Sequence, residues 1–206
     1  MSAPAASVSD EKTSGSGGSA ADADANSRQH QHLQAADDRM NKLLSWSRSH
    51  AGSHIHPDLQ VVYDDSQGYH GRARKKLATP TVITCPLKLT LSWLNLDHGQ
   101  TAVVRHIQSP LQAVLNRVPN EVLSILVLVE QASLGENSFW HPYIDCLPPS
   151  EALTTPLYYT EEDLRWLEGT NVANATRERR QAWQEEWEAA CSVLKDAGVD
   201  DSIYTW

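Results

Sequence analysis

The sequence has little of what several classes of protein require. It has 206 residues and a formal net charge of −9, so it lacks the basic surface with which proteins follow a phosphate backbone. Its longest apolar run, residues 125–129, is far shorter than the ~20 residues that cross a bilayer. We therefore expect neither nucleic acid nor a membrane as a partner.

Cysteine is also scarce. Cys85, Cys146 and Cys191 form an odd number, and no two of them are spaced as CxxC. This pattern argues against a disulfide framework or a structural zinc site. No basic stretch followed by about 7–15 apolar residues opens the chain, so no secretory signal is predicted. We expect reduced thiols and a cytoplasmic or nuclear location.

The chain does have enough apolar residues to form the hydrophobic core of one domain. Hydrophobic residues make up 40% of it. Residues 1–28 are mostly Ser, Ala, Gly and Asp, so we predict a disordered tail there. Residues 29–108 show one helical pattern and several short strands, whereas residues 109–206 are mainly helical. Strands first and helices afterwards predict an α+β fold.

The first half combines a helix with strand patterns. Apolar residues at helical spacing begin near Gln31 and stop before Gly52, which would end the helix. The residues on this stripe are Leu33, Ala36, Met40, Leu43, Leu44 and Trp46. The segments that predict strands are 59–63, 81–85 and the alternating Leu87, Leu89 and Leu91. Residues 64–68 have the composition of a turn.

Helical spacing dominates the second half. Ser109-Pro110 is a typical helix start, and the next helix is predicted over 120–133. Thr160 and Asp163 resemble a capping box, and a last helix is predicted over 174–197. The residues that we expect to be buried are Leu111, Val114, Leu115, Val118, Val122, Ile125, Leu126, Val129, Trp183, Trp187, Cys191 and Leu194.

Three stretches carry a more specific signal. They are TCPLKLTLS at 84–92, GENSFWHPYIDCLP at 135–148, and TPLYY at 155–159 with Asp163-Leu164 and LEGTN at 167–171. In this order and spacing they resemble SET-domain proteins of the class that includes the Rubisco large-subunit lysine methyltransferases, most closely their fungal relatives. The resemblance covers about residues 38–206. It implies the first part of a SET domain followed by a mainly helical insertion.

The resemblance implies a cofactor and a place for it. Members of the family use S-adenosylmethionine to methylate a target lysine of a protein substrate, which would be the partner of this chain. In the family a glycine-containing turn lets the backbone approach the cofactor, and glycine suits such a turn because it carries no side chain. The matching residues here are Gln67, Gly68, Tyr69, His70 and Gly71. The family's next turn, Ile-x-x-Gly, is replaced by Leu77-Ala78-Thr79-Pro80.

The family's catalytic half has no match in this sequence. That half holds a Ser-Arg pair, an Asn-His dipeptide and a tyrosine beside the lysine channel, and no Asn-His dipeptide occurs in the 206 residues. We therefore name no catalytic residue and expect an incomplete SET fold, with its helical insertion truncated. The isolated chain is expected to be inactive, and to bind S-adenosylmethionine weakly or not at all.

Several other residues have both a functional and a structural interpretation. His50, His54 and His56 suggest a metal, but no cysteine or carboxylate stands at a matching spacing, so no metal site is predicted. His141 is interpreted as a packing residue rather than a base. The basic run 72–76 is either a solvated segment, a phosphate contact or a nuclear import signal.

Three hypotheses about function therefore stand. The chain is the amino-terminal portion of a SET-domain protein-lysine methyltransferase, or a non-catalytic interaction module derived from one, or an inactive gene fragment. Methyl transfer to lysine requires alignment of the two reactants and removal of a proton from an amine with a pKa near 10.4. By the resemblance, the groups that do this lie in the half that has no match here.

Overall fold

The computed structural model describes residues 34–35, 37–65, 67–78, 81–99 and 103–205. Its strands come first and its longer helices follow, as the α+β prediction requires. The predicted disordered tail, residues 1–28, lies outside the described residues. In the described part of the chain no helix is long and apolar enough to cross a membrane.

Two small antiparallel sheets form the first half. β1 (Gln34–Ala35), β3 (Leu59–Asp64) and β4 (Gly68–Ala73) form one sheet in the order β1-β3-β4. β2 (His54–Ile55) pairs with β5 (Ile83–Thr84) in the other. The strand predicted at 59–63 and the turn after it are confirmed, because β3 and β4 form a hairpin whose register runs from Leu59 opposite Ala73 to Asp64 opposite Gly68.

The first helix is shorter than predicted. α1 spans Asp38–Arg48, and the Asp37 carboxylate accepts a hydrogen bond of 2.9 Å from the Met40 N–H. Asp37 is itself extended, with ψ of 179°, so the helix begins after it, as is usual for an N-cap. The helix predicted from Gln31 is therefore wrong at Gln34–Ala35, which pair with β3 instead.

The strand predictions after residue 80 are only partly right. The strand expected over 81–85 is limited to Ile83–Thr84 in the described residues. The alternating leucines do not form a strand, because Leu87–Leu89 is one turn of 3₁₀ helix that starts after Pro86. Proline lacks an N–H and fixes φ, which disfavours a strand that continues through it.

The longer predicted helices are confirmed, with changes at their ends. α2 spans Asn120–Ser133, as predicted. α3 spans His141–Ile144, a single turn that the sequence pattern did not predict. α4 spans Glu161–Arg165 and begins with the predicted capping box. α5 spans Asn171–Asp196, starting three residues before the prediction because Thr170 accepts a hydrogen bond from the Ala173 N–H. Residues Pro110–Val114 form a 3₁₀ helix capped by Ser109.

The main hydrophobic core lies between α2, α5 and the 3₁₀ helix Pro110–Val114. Its buried members are Leu96, Leu111, Val114, Val118, Val122, Leu123, Leu126, Val127, Trp187, Ala190, Leu194 and Tyr204. Ile125 was predicted to be buried, but 51% of it is exposed. α2 buries Leu123 and Val127 in addition to Val122 and Leu126, so its buried face is turned away from Ile125.

Candidate functional site

The residues that the resemblance assigns to the cofactor lie on the hairpin formed by β3 and β4. Gln67 is in the turn, where its N–H donates a 2.8 Å hydrogen bond to the Asp64 carboxylate. Gly68, Tyr69, His70 and Gly71 belong to β4 and are therefore in a strand rather than in a loop. The five residues stay together as one continuous stretch at the end of the hairpin.

The backbone of this stretch is open on one side. β4 is an edge strand of its sheet, so every second N–H and C=O group points away from β3 and forms no ladder bond there. Gly68 has a φ of +66°, which favours glycine, and a Cβ there would meet nothing within 4 Å. Gly71 is closer to its neighbours, since a Cβ would lie 3.2 Å from Leu59 Cδ1.

Tyr69 ties the hairpin to the start of α1. Its ring packs edge-to-face on Tyr63, directly across the hairpin, with centroids 5.2 Å apart. Its hydroxyl group lies close enough to the carboxylate of Asp37 to affect the pKa of both groups. The pKa of Asp37 is lowered first by the Met40 N–H and then by this hydroxyl, whereas the pKa of Tyr69 is raised mainly by burial. Asp37 therefore stays ionised and holds both the helix start and the tyrosine.

Arg39 extends this cluster to the stretch at 135–148, one of the three that carry the resemblance. Its Nη2 lies 3.3 Å from Asp37 Oδ2, and its Nη1 donates a 3.3 Å hydrogen bond to the Asp145 carbonyl. Burial, and next the charge of Asp145, raises the pKa of the adjacent Cys146 thiol, so this thiol is no activated nucleophile. The cluster anchors the hairpin and contains no nucleophile paired with a base.

The side chain of His70 contacts other residues than that of Tyr69 does. Its Nδ1 lies 3.0 Å from the Gly68 carbonyl and 3.7 Å from Asp64 Oδ2. These contacts use the side chain to hold the tight end of the hairpin. Gly68 and His70 are thus fixed in place while the outer edge of β4 stays accessible.

The SFWHPYIDC stretch is mainly structural. Trp140 is 1% exposed, and its Nε1 donates a 2.9 Å hydrogen bond to the Leu89 carbonyl. The buried Ser138 hydroxyl donates to Gln131 Oε1 at 2.9 Å. Phe139 packs edge-to-face on Trp46, and the Arg105 guanidinium lies 3.9 Å above its ring centroid. These contacts join the two halves of the chain.

The side chains of His50, His54 and His56 do not converge. His54 and His56 have ring centroids 6.4 Å apart, whereas His50 packs on Trp46 and Phe139. Across the described ranges, no three His, Cys, Asp or Glu side chains are grouped so that they could hold a metal ion. The histidines serve packing and local hydrogen bonds.

The basic run 72–76 is exposed at the end of β4. Lys75 forms a 3.2 Å ion pair with Asp58, so part of its charge is compensated within the chain. Glu185 and Glu186 are both exposed on α5, where adjacent residues of a helix point in different directions and do not form an acid pair.

Sequence reasoning missed Asp37 and Arg39. An Asp directly before a helical pattern is an N-cap signal, and this signal could have identified Asp37. Arg39 could not be found in this way, because its partner Asp145 is 106 residues away in the sequence. The pairing of Tyr69 with Asp37 likewise depends on how the hairpin meets the helix.

Comparison with known proteins relates this chain to protein methyltransferases. No family model matches the chain. The actin-histidine N-methyltransferase of Callithrix jacchus is 29% identical over 139 residues, which are 67% of this chain and 22% of that protein. Those of Homo sapiens and Mus musculus are 29% and 30% identical over 137 residues, or 66% of this chain and 21% of each relative. The chain spans about a fifth of the length of these relatives, all of which are protein methyltransferases.

Proposed function

We propose that this chain is the cofactor-side part of a SET-type protein methyltransferase that uses S-adenosylmethionine. The observation that carries the proposal is the similarity of about two thirds of the chain to protein methyltransferases. The three stretches that resemble SET-domain proteins support the same assignment. The narrower Rubisco methyltransferase class rests on that resemblance alone.

The hairpin supports a role as one wall of the cofactor site. The outer edge of β4 offers main-chain N–H and C=O groups, and the space beside Gly68 lets a ligand reach them. A nucleoside with an amino-acid tail presents polar groups that such an edge can bind. Tyr69, Asp37 and Arg39 hold the hairpin against α1 and Asp145, so its position is fixed before a ligand arrives.

The acceptor is proposed to be a side-chain nitrogen of a protein. S-adenosylmethionine, when bound, supplies an electrophilic methyl group. The nitrogen must be neutral to attack it, which is the ordinary state of histidine at neutral pH but not of lysine. The resemblance points to lysine, whereas the relatives are actin-histidine N-methyltransferases, whose name specifies histidine. A lysine target is therefore no longer the favoured alternative.

The proposal is tested by nuclear magnetic resonance on the ¹⁵N-labelled 206-residue chain. Titration with S-adenosylmethionine should shift the amide signals of Gln67, Gly68, Tyr69, His70 and Gly71. We expect weak binding, with a Kd of about 1 mM or more (roughly −4 kcal/mol), because a single wall makes few contacts. The same preparation should transfer no methyl group from radiolabelled cofactor to actin.

The control variants separate the hairpin from the rest of the chain. Tyr69→Ala removes the anchor to Asp37 and should reduce the shifts, whereas Tyr143→Ala changes an exposed tyrosine outside the hairpin and should not. Shifts that are confined to other residues, or none at all at about 5 mM cofactor (several times a Kd of about 1 mM), would refute the proposed cofactor site. If a longer polypeptide that contains this chain transfers the label, hydrolysis will identify methylhistidine or methyllysine.

A further inference from the structure

A groove between α2 and α5 has no role in the proposed function. Its volume is about 880 Å³, and none of its lining residues belongs to the hairpin. Its apolar lining comes from α2, from α5 and from the 3₁₀ helix Pro156–Tyr158. The side chains concerned are Ile125, Val129, Leu157, Tyr158, Trp183 and Trp187.

The groove leaves open several residues that the sequence pattern expects to be covered. Ile125 and Trp183 lie on apolar stripes of their helices, yet Ile125 is 51% exposed and Trp183 is only half-buried. Tyr158, from the third element, is 48% exposed. A single exposed apolar residue is ordinary, but a contiguous apolar groove marks an interaction site.

The part of the chain that forms the groove is strongly acidic. Residues 109–206 contain 16 acidic and 6 basic residues, whereas residues 1–108 contain 10 and 11. Glu121 and Glu186 are exposed at the rim of the groove. The charge of Arg180 is engaged locally, because its guanidinium donates to the Leu157 and Tyr159 carbonyls and lies 3.5 Å from Glu161. The lining itself holds two carboxylates and two guanidinium groups, so the negative field that favours a cation comes from the acidic half of the chain around the groove.

Arg179 is the exposed cation at this rim. Its guanidinium carbon lies 5.1 Å from the centroid of the Trp183 ring. This contact shows that the face of Trp183 accepts a cationic group, which the negative face of an indole ring attracts. The cation of a partner can take the same place once Arg179 moves aside.

We propose that the groove binds a basic amphipathic helix of a partner protein. The apolar face of such a helix would cover Ile125 and Trp183, and its Lys or Arg residues would meet Glu121 and Glu186. Residues 1–28 of this chain do not suit the groove, since they contain four acidic and two basic residues, and their large apolar side chains are Met1 and Val8. A second copy that presents its own groove brings the same excess of acidic residues, 16 against 6 in residues 109–206, and is repelled.

The test uses a fluorescent peptide of about 14 residues (four turns) that carries leucine on one helical face and lysine on the other. Fluorescence anisotropy with the full 206-residue chain should give a Kd in the range of about 10–100 μM at physiological salt, weaker than for an optimised natural partner. The matching peptide with glutamate in place of lysine should not bind measurably. Higher salt should weaken the binding of the lysine peptide.

Variants show where the peptide binds. Ile125→Lys places a positive charge in the groove, where it repels the lysine peptide, and should weaken binding about tenfold or more. Trp183→Ala removes an apolar contact and should weaken binding by a similar factor. Arg179→Ala removes a competing cation and should strengthen it several-fold. Trp166→Ala is the matched control, because Trp166 is 86% exposed and lies outside the groove.

Three results would overturn the proposal. One is equal binding by wild type, Ile125→Lys and Trp183→Ala, with circular dichroism showing that both variants are folded. Another is equal affinity for the glutamate peptide. The third is a dimer in sedimentation that Ile125→Lys dissociates, since a second copy would then occupy the groove. None of these outcomes affects the proposed cofactor hairpin, which this peptide does not probe.

Discussion

Glu130 of α2 has a carboxylate group whose two oxygens differ in their surroundings. Oε1 accepts a 2.8 Å hydrogen bond from the Ser109 hydroxyl, which itself accepts one from the Leu111 N–H. Oε2 is buried and has no hydrogen-bond partner within the described part of the chain. Burial raises the pKa of Glu130, and the Ser109 hydroxyl opposes this in part. Ionised Glu130 is therefore a cost to the folded state.

The Glu130 side chain should make stability depend on pH in a defined direction. Its folded pKa lies above its ordinary value of 4.5, so its contribution is fully present below that value and is lost as pH rises through the raised pKa. Glu130→Gln should therefore remove a fall in Tm that the wild type shows above about pH 4.5. Thermal melts between about pH 4 and pH 8, which bracket this window, measure the effect. The control, Glu136→Gln, changes an exposed carboxylate nearby. Parallel curves for wild type and Glu130→Gln would contradict the prediction.

Buried polar residues that hold loops in place were the hardest to identify from the sequence. Asn95 is fully buried, and its Nδ2 donates to the Arg105 carbonyl at 2.7 Å while its Oδ1 accepts from the Ser92 N–H at 2.6 Å. A lone Asn among apolar residues looks like a turn residue in the sequence. Its role depends on backbone groups that only the folded loop brings within reach.

Helices with a clear 3.6-residue period were predictable, and short irregular elements were not. α2 and most of α5 were predictable from the helical spacing of Val122, Leu126, Trp187 and Leu194, because one face of each helix packs against the same core. The Leu87–Leu89 turn did not follow, since alternation over five residues fits both a strand and a 3₁₀ turn with one buried leucine. The strand β3 and the turn after it were predictable, but β4 was not, because its glycines indicated a turn over residues 67–71. The contact of the hairpin with α1 was not predictable either, because it joins segments that are distant in the sequence.

The packing of α5 on α2 should depend on Trp187. This residue is 8% exposed and belongs to the main core. Trp187→Ala should lower the free energy of unfolding by about 3–5 kcal/mol, since it removes a large buried side chain and leaves a cavity. Trp166→Ala, the exposed matched control, should change it by less than about 0.5 kcal/mol. Urea unfolding measures both values. A loss below about 1 kcal/mol for Trp187→Ala would show that the helix pair is not held by this contact.

The molecule as a whole has an uneven distribution of buried apolar residues. The main core draws its buried members from residues 96–204, whereas the sheet region contributes Met40, Val62 and Leu89 to the buried set. The Trp140 to Leu89 hydrogen bond, the Arg39 to Asp145 contact and the packing of Phe139 on Trp46 and His50 connect the two regions. The sheet region has few buried apolar side chains of its own, which favours its opening before the main core unfolds.

Hydrogen exchange should therefore divide the chain into two regions of different stability. The central amides of α2 and α5 should exchange slowest, because they open only when the main core unfolds. The β2 and β5 amides should exchange faster than those of the β3–β4 hairpin, since each of these two strands has two residues and both residues of β5 are exposed. Trp187→Ala should reduce protection in α2 and α5 together and leave the β3–β4 hairpin almost unchanged. If the hairpin amides lose protection in step with α5, the chain unfolds as one cooperative unit. The Tyr69 to Asp37 anchor then transmits stability from the helices to the hairpin.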